Sequence, residues 1–157
     1  MRNLLTVFAF LLSIGFKASA QAEKDDQVIT RTIFGKEKKA IIAERVHLSV
    51  QEQEAFWPLY DEYECKIKAI GEARLKLIDR YASGYETFNN ESAADMAKAY
   101  LDNIEGYNEL YKVYLEKFKR SIGGVRAAAV IQLEIYIETA IQANLLQQIP
   151  MISNMLE

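Results

Sequence analysis

Apolar residues along this chain recur at steps of three, four and seven, and no stretch alternates with period two over the length of a strand. The pattern predicts four helices and no sheet. The second helix is the most sharply written. Ser49 followed by Glu52 forms a capping box, in which the hydroxyl takes a free backbone N–H and the carboxylate reaches back. Phe56, Tyr60, Tyr63, Ile67, Ile70, Leu77 and Tyr81 then line one face, with Arg74 the single charged residue on the stripe. Glu62–Lys66, Glu64–Lys68 and Glu72–Lys76 place acid before base at i,i+4, which suits a solvated outer face. The stripe ends near Ala82, before Ser83 and Gly84, for a helix of about 50 Å. Pro58 lies inside it and predicts either a kink near Trp57 or a helix re-initiated there.

The third helix is predicted to start near Ser92, with Asp95 three residues on. Its stripe is Ala97, Leu101, Ile104, Tyr111, Leu115, Phe118 and Ile122, widened by Tyr100, Tyr107 and Tyr114. Lys117, Lys119 and Arg120 favour the negative end of its dipole, and Gly123-Gly124 stops it. The fourth helix runs from about Val125 to Gln148, before Pro150. Ala128, Ile131, Ile135, Ile141, Leu145 and Leu146 are apolar, and so are Leu133 and Ile137 on a different side. Such a helix is either central in a core or covered by a partner. A short first helix from Lys36 to Val46 presents Ile41, Ile42 and Val46. The expected fold is all-α: an elongated hairpin of two long antiparallel helices, with a short N-terminal helix and a C-terminal helix. Residues 36–150 form one domain, 21–35 a flexible entry segment and 151–157 a tail.

Residues 1–20 read as an export signal rather than as part of that domain. Arg2 gives the positive start, Leu4 to Phe16 the apolar run, and Ala18-Ser19-Ala20 the small residues before a cut at Gln21. The run is shorter than the roughly 20 residues a spanning helix needs. The expectation is therefore an exported protein, cleaved after Ala20, with no integral membrane segment. Losing Arg2 and Lys17 leaves 17 basic against 22 acidic residues. That balance argues against nucleic acid, whose binding depends on Lys and Arg neutralising phosphates.

Candidate chemistry is sparse. The single histidine, His47, precedes the helix cap, and the single cysteine, Cys65, falls on the predicted outer face. A Cys–His pair must lie within hydrogen-bond reach, and nothing in the spacing brings these two together. One of each is also too few for a transition-metal site. Asp25-Asp26 and Asp61, Glu62 and Glu64 read as solvated acidic residues. No enzyme activity, metal or cofactor is expected, and Cys65 stands only as a candidate intermolecular thiol. The conspicuous surplus is aromatic. Most of it reads as packing, but tyrosine and tryptophan also suit contact surfaces, because they join an apolar body to a polar tip. Phe56, Trp57, Tyr60 and Leu75 are the candidate protein-contact residues, Trp57 and Leu75 lying about a quarter turn off the stripe.

Leu48-Ser49-Val50-Gln51-Glu52 resembles the LTxxQ motif of the Spy/CpxP family of bacterial periplasmic proteins, with the leucine kept, serine for threonine and glutamate for the last glutamine. Ala55-Phe56-Trp57-Pro58-Leu59-Tyr60 is similar to a segment of distant relatives of that family. The second motif falls at Ile122-Gly123-Gly124-Val125-Arg126, where the chain departs from the pattern, and Gln132-Leu133-Glu134 keeps part of it downstream. The resemblance implies a helical, often dimeric periplasmic protein, cradle-shaped in the best-known members. Some members are ATP-independent chaperones, others restrain an envelope-stress sensor kinase, and a zinc-binding branch uses histidines that this chain lacks. The expected function is chaperone-like or stress-responsive binding of unfolded or misfolded proteins on an amphipathic helical surface. The alternatives are a regulatory adaptor for the periplasmic domain of a membrane sensor and a structural homodimer without clients.

Overall fold

Capping boxes set the starts of the two long helices. The computed structural model describes residues 38–151, so the expected signal, the entry segment and the tail after Met151 lie outside the described residues. Among the described residues there are four α-helices and no strand. They are α1 (Lys38–Val46), α2 (Val50–Gly84), α3 (Asn90–Ile122) and α4 (Gly124–Leu146), with a 3₁₀ turn at Tyr85–Thr87 between α2 and α3. The chain divides into two compact units, Met1–Glu44 and Arg45–Glu157. In the second unit His47 holds a φ of 50°, in the left-handed region that few side chains adopt. Ser49 then caps α2 with the expected capping box.

α2 is continuous across Pro58, so the helix is not re-initiated there. Phe56, Tyr60, Tyr63, Ile67 and Arg74 are buried along it, which bears out the phase of the stripe. Its partner is α3, and the contacts pair residues in reverse order. The Phe56 and Phe118 rings lie 5.2 Å apart, as do those of Tyr63 and Tyr114, and Asn103 Nδ2 donates to the Ile70 carbonyl at 3.1 Å. α2 and α3 therefore run antiparallel. Gly71 permits a close approach: a Cβ there would stand 3.2 Å from the Tyr107 hydroxyl. α4 packs along α3.

Four details differ from the sequence reading. α3 starts at Asn90, capped by Asn89, whose side chain accepts from Ser92 N while Asn89 N donates to Ser92 Oγ, both at 2.9 Å. Ser92 is thus the third residue of the helix, not its cap, because asparagine one turn earlier serves equally well. On α3 the buried face is Met96, Tyr107, Tyr111, Tyr114, Phe118 and Ile122, whereas Leu101 is 63% exposed and Ala97 is exposed. Tyr107 and Tyr114, which merely widened the predicted stripe, are part of its centre, since α3 packs against both α2 and α4. On α4 the buried residues are Ala127, Val130, Ile131, Glu134 and Ile137, and Ala128 and Ile135 turn outward. Finally, Glu62–Lys66 pairs at 2.9 Å as expected, but Lys68 turns to Glu72 at 4.0 Å, and Glu64 accepts from the Tyr60 hydroxyl at 3.4 Å.

Candidate functional site: helix cap, buried polar core and apolar pocket

The segment Leu48–Glu52 and the start of α4 meet in space. Ser49 N donates to Glu52 Oε2 at 2.9 Å, and Glu52 N donates to Ser49 Oγ at 3.3 Å. The other oxygen of the same carboxylate, Oε1, accepts from Arg126 Nη1 at 2.6 Å. Hydrogen bonds from Ser49, with the Arg126 charge beside them, hold the Glu52 carboxyl below its ordinary range. Leu48 is buried, and Gln53 Nε2 donates to its carbonyl at 3.0 Å. The cap of α2 is thereby tied to the first turn of α4, which Gly123 enters with a φ of 79° that favours glycine. These contacts satisfy the start of α2 and tie it to α4.

The candidate contact residues separate into two kinds. Phe56 and Tyr60 have no exposed surface, which corrects their assignment as contacts. They belong to an aromatic cluster with Tyr63, Tyr114 and Phe118, because the α2 stripe faces α3 and α4 rather than solvent. Trp57 is half-buried, edge-on to Phe56 with centroids 5.0 Å apart. Leu75 is 49% exposed, and Cys65 is exposed.

Beneath that cluster lies a polar network that the sequence reading missed. Glu134 is buried to 1% exposure on α4. Its Oε1 accepts from the Tyr60 hydroxyl at 2.6 Å and its Oε2 from the Tyr63 hydroxyl at 2.9 Å. Burial first, and the Glu134 charge second, push both phenols far above their ordinary range, so they remain donors. One turn on, Glu138 pairs with Arg74 of α2. The Arg74 guanidinium also donates from Nε to Asn103 Oδ1 at 2.9 Å and lies 4.2 Å from the centre of the Tyr107 ring. Burial, with Glu138 nearby, pushes the Tyr107 phenol up to about 12. Each charge in this layer is hydrogen-bonded, as a buried charge must be to be tolerated. The layer fixes how α4 sits on α2 and α3, and a small cavity of about 130 Å³ borders it at Arg74, Tyr107, Tyr111 and Glu138.

A larger and more apolar pocket lies elsewhere. Near the turn that joins α2 to α3, an apolar pocket of about 390 Å³ is lined by Leu77, Ile78 and Tyr81 of α2 and by Met96, Ala97 and Tyr100 of α3. The remaining wall is Leu146, at the end of α4, together with Ile149, Pro150 and Met151. Two tyrosines fasten that wall: Tyr81 donates to the Pro150 carbonyl at 2.6 Å and Tyr85 to the Met151 carbonyl at 2.8 Å. Ring contacts of Tyr81 with Tyr85 and Phe88 hold the donors in place. Burial pushes the Tyr81 phenol up, so it stays protonated at neutral pH. Volume and lining suit a small apolar group, and pockets of this kind are the usual binding sites of proteins. Its methionines add adaptable walls.

No family model matches the chain, and neither a curated protein nor a solved structure matches it. Among the described residues no group of three His, Cys, Asp or Glu side chains is placed to hold a metal ion, and no helix is long and apolar enough to cross a membrane.

Proposed function

We propose that this chain is a periplasmic, ATP-independent chaperone-like protein that holds apolar segments of unfolded or misfolded proteins. The observation that carries the reading is the open, methionine-lined apolar pocket between the ends of α2, α3 and α4. An unfolded chain offers large apolar side chains one at a time, and a pocket of this size takes one or two of them. Additional support comes from exposed apolar residues on the same helices, Leu75 on α2 and Leu101 on α3, and from the resemblance of Leu48–Glu52 to the LTxxQ motif. The paired long helices, read as a Spy-like hairpin, supply the amphipathic scaffold. Release needs no nucleotide if each contact is small: burying one aliphatic side chain is worth about 1.5–3 kcal/mol, which leaves binding weak and reversible.

The test is suppression of aggregation of two unrelated unfolding proteins by residues 21–157, without ATP. Protection of both at near-stoichiometric amounts supports the reading. Protection of neither overturns it, and capture of one sensor's periplasmic domain alone would put the adaptor in its place.

A further inference from the structure

One wall of the pocket is a short peptide segment of the chain itself. Residues 147–151 leave the helical path after Leu146 as a turn and a bend, ending at Pro150 and Met151. Ile149, Pro150 and Met151 line one wall of the pocket, Ile149 half-buried and Met151 70% exposed. The carbonyls of Pro150 and Met151, consecutive along the backbone, each receive one tyrosine hydroxyl. An apolar cleft with donors spaced for successive main-chain carbonyls is how a protein reads a peptide without reading its sequence: the hydroxyls take the backbone and the cleft takes the side chains. Here that geometry is spent on the chain's own strap.

We propose that the cleft formed by Leu77, Ile78, Tyr81, Met96, Ala97 and Tyr100 is a peptide-binding site for extended apolar segments, closed along one side in cis by the strap Ile149–Met151, whose backbone a client's would replace. The inference rests on the chaperone-like reading and names how its site is gated. A client segment displaces the strap, laying its apolar side chains on α2 and α3 and presenting its carbonyls to Tyr81 and Tyr85. The strap is suited to leaving. Both of its tyrosine hydrogen bonds are exposed, so water replaces them when it lifts, and the backbone bonds just before it are those of a frayed helix end: Gln147 N to Ala143 O at 3.2 Å and Gln148 N to Leu145 O at 3.1 Å. The apparent affinity for a client is lowered by the fraction of time the strap is seated, and a lifted strap removes that penalty.

The experiment uses the chain of residues 21–157 and two fluorescein-labelled peptides, one reproducing residues 146–151 and one of unrelated apolar sequence, read by fluorescence anisotropy. In the I149D variant the strap loses its half-buried apolar residue. Both peptides are expected to bind this variant about tenfold more tightly than the unsubstituted chain, and adding Y81F/Y85F is expected to weaken them again. Hydrogen exchange on the unsubstituted chain gives a second readout that depends on no variant: the amides of Gln147 and Gln148 should exchange faster when either peptide is bound. Equal peptide affinity in the strap variant with an unchanged far-UV spectrum overturns the inference, as does unaltered exchange at saturating peptide. Binding of dodecanoate in place of both peptides also overturns it, by making the cleft a lipid site. If aggregation suppression persists while these signals are absent, the gating fails and the chaperone-like reading stands. If suppression is absent as well, both fall.

Discussion

Replacing Tyr63 by Phe removes one oxygen and leaves the ring in place. In the folded chain that oxygen donates to Glu134 Oε2 at 2.9 Å, and the carboxylate it serves is buried to 1% exposure. No cavity opens, so the transfer and cavity terms of a core truncation do not enter. What is lost is a hydrogen bond to a charged group, worth about 1.5–3 kcal/mol when the partner stays buried. The expected loss is thus about 2 kcal/mol, which in a domain of this size lowers Tm by roughly 8 °C. Tyr81→Phe is the internal control. Its bond to the Pro150 carbonyl is exposed, so water takes its place and the loss stays under about 1 kcal/mol. Thermal and urea melts followed by far-UV circular dichroism give both numbers, and a cycle with Glu134→Gln isolates the coupling between Tyr63 and Glu134. A Tyr63→Phe melt within about 2 °C of the unsubstituted chain would show that this layer does not hold α4 to α2.

Ser49→Ala removes the cap that accepts Glu52 N, and should cost about 1 kcal/mol in a urea melt while leaving helicity almost intact. Cys65 is exposed, so a thiol reagent should label it without denaturant at nearly the rate of a free thiol; slow labelling of reduced protein would contradict its place on α2. Glu62 titrates at about 2, below its ordinary 4.5, chiefly because Lys66 donates to it, with Lys117 also in contact. A carboxyl lowered in the folded state stabilises above its unfolded value and loses that contribution as pH falls toward 2. Glu62→Gln should therefore melt lower than the unsubstituted chain at pH 7, with the gap closing by about pH 2.

What the sequence disclosed, and what it withheld, follows from how local each feature is. The α2 cap was legible because Ser49 and Glu52 complete their exchange within one turn. The α2 stripe was legible because five of its residues are buried in one phase. Arg74 looked like an exception on that stripe. It is a buried member of it, because Glu138, 64 residues away, arrives to pair with it. Glu134 was unreadable for the same reason: a carboxylate in mid-helix looks solvated until Tyr60 and Tyr63, 74 and 71 residues earlier, are placed against it. That pairing also turns α4, carrying Ile135 outward against its apolar character. The start of α3 was read three residues late because Ser92 and Asp95 imitate a capping box, while Asn89 forms the real one with Ser92. The pocket had no sequence signature, since one of its walls depends on where Tyr81 and Tyr85 hold the chain after Leu146.

The claim that capture occurs at this pocket is tested most directly by plugging it. Ala97 lines the pocket yet is exposed, so Ala97→Trp fills the cavity without disturbing the core. Aggregation suppression by this variant should be measured against the same two unfolding proteins, beside its thermal melt. The account predicts an unchanged melt and protection reduced several-fold for both proteins. Undiminished protection with the pocket plugged would contradict it.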